Sequence, residues 1–177
     1  GFDASPDMIE KAQKRLPDVP FYLSDVTQWQ PDADVDLLFS NAVFQWIPEH
    51  IQHLQRLLKG LKSGAALAVQ MPDNWEEPSH TLIRQVAEEL GHPASGRQPL
   101  PDVSEYYAML TASGCEVDIW RTTYYHPLES HQAIIDWLQS TGLRPYLQPL
   151  DAGQQEGFLD RYLALLRTLI ALPLGVA

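Results

Sequence analysis

The order of apolar segments in residues 1–71 leaves few folds open. Val35-Asp36-Leu37-Leu38-Phe39-Ser40-Asn41 and Ala65 to Met71 are short, mostly apolar runs, as expected of strands covered on both faces. Between them Ile51, Leu54, Leu57, Leu58 and Leu61 recur with the spacing of one helix face, and Ser63-Gly64 closes that helix. Upstream, Gly1-Phe2-Asp3 reads as the end of a strand. Ser5-Pro6-Asp7 then supplies an N-cap, a first-turn proline and an acid that suits the helix dipole. Met8, Ile9, Ala12 and Leu16 give the helical stripe, bounded by Pro17 and Pro20, and Phe21-Tyr22-Leu23 is a second short strand ending at Ser24-Asp25. Strands that alternate with helices predict an α/β fold with a mostly parallel sheet.

Past Pro72 the pattern turns helical. Helices are predicted over Thr81 to Leu90, Ser104 to Ser113, from the N-cap Ser130 through Leu138, and from the N-cap Asp151 onward with Phe158, Tyr162, Leu166 and Leu169 on one face. Ala94 to Pro101 reads as a Pro/Gly/Ser-rich loop and Glu116 to Tyr125 as a strand. The predicted organisation is a core over residues 1–125 and a helical cap over 126–177, within one chain of 177 residues.

Charge narrows the partners. With 12 Lys+Arg against 23 Asp+Glu the net charge is −11, which repels nucleic acid, because binding it rests on neutralising phosphates with basic residues. An anionic small molecule is repelled too, so it needs a local cationic pocket. The apolar run Leu163 to Leu174 is broken by Arg167, Thr168 and Pro173, so no membrane span is expected. No basic region precedes an apolar one at Gly1, so no signal peptide is expected. Cys115 is the lone cysteine, which excludes an internal disulfide and a CxxC metal site and suits a cytoplasmic protein. The histidines show no metal-ligand spacing, and no metal is expected.

Ligands of open α/β sheets bind at the carboxyl ends of strands. Asp3 and Asp25 stand at two successive strand ends, where one acid can accept from a ribose diol and the other from an adenine amino group; each also fits an ordinary turn acid. Asn41 ends the third strand, as a ligand contact or a turn residue. Gln45 and Trp46 follow it, and Trp46 could wall a sulfonium or simply pack in the core.

These residues carry a resemblance. Gly1-Phe2-Asp3-Ala4-Ser5-Pro6-Asp7-Met8-Ile9 is similar to the stretch after the second strand of class I S-adenosylmethionine (SAM) dependent methyltransferases, and Asp25-Val26 to their acidic motif after the third strand. Ser40-Asn41-Ala42 with Gln45-Trp46 resembles the fourth-strand motif of small-molecule carboxyl methyltransferases. Val69-Gln70-Met71-Pro72-Asp73-Asn74-Trp75, the run Gly114 to His126, and Ser130 to Trp137 through Gly142-Leu143-Arg144-Pro145 resemble those acting on trans-aconitate. The similarity extends to about residue 147. It implies SAM as donor, with Asp3, Ser5, Asp25, Val26 and Asn41 as its binding residues. It also implies a Rossmann-like sheet whose central first strand and GxGxG loop do not occur in these 177 residues, and a closing strand hairpin incomplete after Ala177.

The implied reaction is methyl transfer to a carboxylate of a tricarboxylate, giving a monomethyl ester. Arginine suits bidentate carboxylate binding. Arg97, Arg121 and Arg144 lie outside the predicted helices, with Arg144 favoured by its place between Gly142 and Pro145. Gln45, Trp46, Trp75, Tyr125, His126 and Tyr146 complete the expected substrate-binding set. No Ser/His/Asp or Cys/His constellation is found, and no catalytic side chain is assigned. Two other readings stay open: a methyltransferase for another small acid or acyl carboxylate, and a truncated, non-catalytic fragment. If the implied strand order holds, residues 1–177 alone leave two strand edges unpaired, at about 1–3 kcal/mol per buried unmet backbone group. The isolated segment is therefore expected to show no cooperative thermal melt and no tight SAM binding. A cooperative melt with binding at about micromolar SAM by titration calorimetry would refute that strand order.

Overall fold

The computed structural model describes residues 1–92 and 97–170. Its strands are four: β1 (Phe2–Asp3), β2 (Tyr22–Leu23), β3 (Leu37–Asn41) and β4 (Ala66–Gln70). β1 pairs with β2 and β3 with β4, both parallel. Among the described residues no strand pairing joins the two pairs. The α/β alternation read from the sequence is present, as two short parallel sheets.

The helices are α1 (Pro6–Arg15), α2 (His50–Gly60), α3 (Pro78–Glu89), α4 (Val103–Ala112), α5 (His131–Leu138), α6 (Arg144–Leu147) and α7 (Ala152–Leu169), with a 3-10 turn at Phe44–Trp46. Local chemistry sets their starts. Ser5 Oγ accepts from Met8 N, Ser130 Oγ from Ala133 N, and Asp102 and Asp151 each form a capping box. Each such cap satisfies a first-turn N–H that the helix itself leaves open.

The chain groups into two compact units. One comprises Gly1–Met71 and Pro101–Ile119, the other Pro72–Leu100 and Trp120–Ala177. The helical unit thus takes in residues 72–100 as well as those beyond 126. In the strand-bearing unit Phe44, Leu54 and Leu57 are buried against Val26, Leu38, Leu67, Val69, Tyr106 and Met109. Only one face of the β3–β4 pair is covered in this way. The other exposes Leu37 and Phe39, the latter 66% accessible, whereas the sequence predicts strands covered on both faces. In the helical unit Leu82, Ile83 and Val86 of α3 pack with Ile135, Leu143 and Tyr146 and with Phe158, Tyr162 and Leu166 of α7. The Tyr162 hydroxyl donates to Ser79 O at 2.8 Å, and Arg161 Nε to Glu89 at 2.6 Å, so two polar contacts fix α7 on α3.

Three expectations change, and one falls partly outside the described residues. Glu116 to Tyr125 forms no strand, because no described segment pairs with it. Residues 144–147 form the short helix α6, which places Arg144 at a helix start. Leu169 leaves the buried face of α7 and is 62% exposed. The loop predicted over Ala94 to Pro101 lies outside the described residues at 94–96. Phe158 is fully buried, so Phe158→Ala should cost about 3–5 kcal/mol through the cavity it leaves, while Leu169→Ala should stay within about 0.5 kcal/mol. Urea unfolding of the two variants of the whole protein checks the contrast.

Candidate functional site

In a parallel sheet every strand delivers its carboxyl end to the same edge, and there the sequence places its polar residues. β1 ends on Asp3, whose Oδ1 accepts from Ser5 N at 2.7 Å, and Ser5 then caps α1. β2 runs on to Asp25, whose Oδ1 accepts from Thr27 N at 2.8 Å. The two acids are held by the same turn on adjacent parallel strands. Asp3 Oδ2 makes no further hydrogen bond among the described residues. The hydrogen bonds from the Thr27 backbone and side chain hold the Asp25 carboxyl below its ordinary pKa, so it is an anion at neutral pH. Val26 sits in the same loop, where α2 fastens it: Arg56 donates to Val26 O at 2.7 Å and to Trp29 O at 2.6 Å.

The β3 end is built differently. Asn41 is its exposed last residue, and Ala42 follows with φ 54°. A left-handed non-glycine residue at a strand tip is strained, a feature that clusters at functional sites. Gln45 is 5% exposed, its Nε2 donates to Ala42 O at 2.8 Å, and its Oε1 is buried without a hydrogen-bond partner. Gln45 therefore holds the strained turn through its Nε2. Trp46 stands partly exposed beside it. His50, buried next to this turn, lies 2.5 Å from the Tyr106 hydroxyl through Nε2 and 3.2 Å from Ile47 O through Nδ1. Burial lowers its pKa.

The remaining candidates lie in the helical unit. Tyr125 is 91% exposed. His126 packs at 4.4 Å on the Trp137 ring and at 6.3 Å from Tyr124. Arg144 is exposed at the start of α6, and Tyr146 is buried two residues on. Arg121 pairs with Asp73 at 2.5 Å. Trp75 is half-buried, with the Arg84 guanidinium 4.0 Å over its ring and Arg84 Nη1 donating to its carbonyl at 2.7 Å. Arg97 is 7% exposed, and its Nη2 donates to Pro72 O at 2.9 Å and Asn74 Oδ1 at 2.8 Å. Burial, then the Arg84 charge, lowers its pKa, against opposing contributions from Asp73 and Tyr146.

Beside these arginines stands His80, a residue the sequence gave no reason to single out. Arg84 was hidden as well, because an arginine inside a helix reads as part of a solvated face. No cluster of His, Cys, Asp and Glu placed to hold a metal occurs among the described residues, and no described helix is long and apolar enough to cross a membrane.

Residues 1–69 match the methyltransferase domain family, and the chain carries part of a class I methyltransferase fold. It is also similar to proteins named trans-aconitate 2-methyltransferase. The one from Escherichia coli O7:K1 (strain IAI39 / ExPEC) is 54% identical over 162 residues, covering 92% of this chain and 64% of that protein. The one from Klebsiella pneumoniae (strain 342) is 55% identical over 166 residues, covering 94% and 66%. The one from Shigella flexneri is 53% identical over 162 residues, covering 92% and 64%. The chain thus spans 64–66% of the length of these relatives.

His80 also gives the helical unit a pH signature. Burial, then Arg97 and Arg84, pushes its pKa from 6.5 down to about 4, so the imidazole is neutral at pH 7. In the unfolded chain the ordinary pKa of about 6.5 returns. Between those two values the unfolded state binds a proton that the folded state refuses, so acidification through that window destabilises the fold. The melting temperature of the whole protein should fall from about pH 6.5 towards pH 4, and His80→Gln should flatten that fall; differential scanning calorimetry across the window checks both.

Proposed function

We propose that the protein containing this chain transfers a methyl group from SAM to a carboxylate of trans-aconitate or a close polycarboxylic relative. The observation that carries this reading is the reach of the similarity. The general methyltransferase-domain match ends at residue 69, whereas the resemblance to proteins named trans-aconitate 2-methyltransferase continues through 92% of the chain, helical unit included.

The residues present fit the adenosyl end of the donor. Asp3 has a carboxylate oxygen outside its turn hydrogen bond, suited to a ribose diol. Asp25 is a fixed anion suited to an amino group, with Ser5 and Val26 in the turns after β1 and β2 and Asn41 at the end of β3 in the other strand pair. Among the expected substrate-binding residues, Trp46, Trp75, Tyr125, His126, Arg144 and Tyr146 supply aromatic surface, hydrogen bonds and charge.

The chemistry asks little of the side chains. A carboxylic acid with a pKa of about 4 is already ionised at neutral pH, so no general base is needed. When bound, SAM supplies an electrophilic methyl on a cationic sulfur: a carbon–oxygen bond forms as the carbon–sulfur bond breaks, leaving a neutral thioether and the ester. The protein's part is to hold the carboxylate in line, and such positioning can supply up to roughly 7–11 kcal/mol of barrier lowering.

The test is to incubate the whole protein with SAM and trans-aconitate and identify the monomethyl ester by mass spectrometry; no ester from any small polycarboxylate would refute the reading. Asp3→Ala should weaken binding of S-adenosylhomocysteine by about 1.5–3 kcal/mol, the range for a hydrogen bond to a charged group, and Asp25→Ala should do likewise. Calorimetric titration measures both, and unchanged affinity would remove these acids from the donor site.

A further inference from the structure

We propose that Arg56 is a positioning residue for donor binding: from α2 it holds preformed the turn over residues 25–29, which presents the Asp25 carboxylate. The proposal rests on the donor reading above, in which Asp25 meets the adenosyl end of SAM. Its physical basis is the construction of the turn, which stands without that reading.

The turn is stapled from both sides. Asp25 Oδ1 accepts from Thr27 N at 2.8 Å, and Asp25 O accepts from Gln28 N at 3.0 Å and Trp29 N at 2.9 Å. The carbonyls of Val26 and Trp29, by contrast, accept no backbone N–H among the described residues. A single turn has no later N–H groups to offer them. Arg56 supplies the donors instead: Nη2 donates to Val26 O at 2.7 Å and Nη1 to Trp29 O at 2.6 Å. Such charge-assisted hydrogen bonds are roughly twice as strong as neutral ones, and one planar fork spans both carbonyls. Both bonds fall on the backbone of the turn and neither on the Asp25 carboxylate. Arg56 therefore fixes the place of that anion without pairing with it.

Packing ties the same turn to its neighbours. Val26 and Trp29 pack against the buried cluster of Phe44, Leu54 and Leu57, so α2 grips their side chains as well as their carbonyls. The Trp29 ring lies 4.7 Å from the ring of Phe2, the residue before Asp3. At the end of α2 a Cβ on Gly60 would fall 2.8 Å from Pro31 Cγ, so the helix runs against this loop with no room for a side chain. Among the described residues no strand pairing joins β1–β2 to β3–β4, and at this turn α2, which follows β3, reaches the other pair. The fork serves the turn at the expense of its third donor: Arg56 Nε is buried without a hydrogen-bond partner, which costs stability. A turn fixed in advance removes its own ordering cost from donor binding.

The experiment uses the whole protein and S-adenosylhomocysteine, titrated by calorimetry into the wild type, Asp25→Ala, Arg56→Lys and the double variant. Arg56→Lys keeps the charge and the aliphatic stem but cannot span two carbonyls. It should weaken S-adenosylhomocysteine binding by about tenfold, while KM for trans-aconitate at saturating SAM stays within about twofold. In the Asp25→Ala background the same change should cost less than about twofold, because the group being positioned is gone. An equal loss with and without Asp25 overturns the positioning role, and so does an unchanged affinity in Arg56→Lys. Both of those outcomes leave the methyltransferase reading standing. A wild type that binds no S-adenosylhomocysteine overturns the donor reading, and this role with it. If Arg56→Lys fails to fold, hydrogen exchange of the wild type decides: the Thr27, Gln28 and Trp29 amides should exchange within about threefold of the same rate with and without the ligand. Protection that arises only with the ligand overturns the preformed turn.

Discussion

Parallel pairing is the constraint on which the strand-bearing unit depends. β3 and β4 run in register from Leu37 opposite Ala66 to Asn41 opposite Gln70, and β1 and β2 from Phe2 opposite Tyr22 to Asp3 opposite Leu23. Because the strands of each pair point the same way, Asp3 and the turn to Asp25 come out together, as do Asn41 and the turn after Gln70. The return path must then be a crossover, which α1 and α2 provide. The polar residues at the strand tips are thereby separated from the apolar faces that bury Phe44, Leu54 and Leu57. An antiparallel arrangement would send alternate tips to opposite edges and scatter the same residues.

Much of this was legible because it is local. Ser5-Pro6-Asp7, Ser130 and Asp151 announce helix starts through side chains that reach backbone N–H groups a turn away, and the structure uses each of them as an N-cap. Positive φ at Gly114 follows the C-cap Ser113 and closes α4, whereas α2 ends at Gly60 and Gly64 lies in the separate turn that leads into β4. What was not legible depends on distant partners. Glu116 to Tyr125 has the alternation of a strand, yet a strand exists only when another pairs with it. Residues 144–147 are too few to show a period, so the short helix carrying Arg144 left no pattern. The pairing of Arg97 with the loop at Pro72 and Asn74 spans more than twenty residues, and nothing in the spacing of those residues announces it.

The two units differ in how they treat charge. In the strand-bearing unit the acids are met by neutral backbone donors: Ser5 N for Asp3, Thr27 N for Asp25. Backbone N–H groups stabilise an anion while leaving the site free of a fixed counter-ion, which suits a donor that is itself cationic at sulfur. In the helical unit arginines bond to backbone carbonyls and an amide and also pair with carboxylates, Arg121 with Asp73 and Arg161 with Glu89.

Charge bears on catalysis without a base. When an ionised carboxylate attacks a cationic sulfonium, charge is destroyed on the way to products, so strong fields that favour separated charges would oppose the reaction. The useful work of cationic residues is then to hold the carboxylates that do not react, leaving the reacting one weakly solvated. A tricarboxylate has such spare groups, whereas a simple monocarboxylate has none. Under the proposed function, holding the spare carboxylates would therefore favour polyacids, because only they can be bound tightly and still present an unburdened nucleophile.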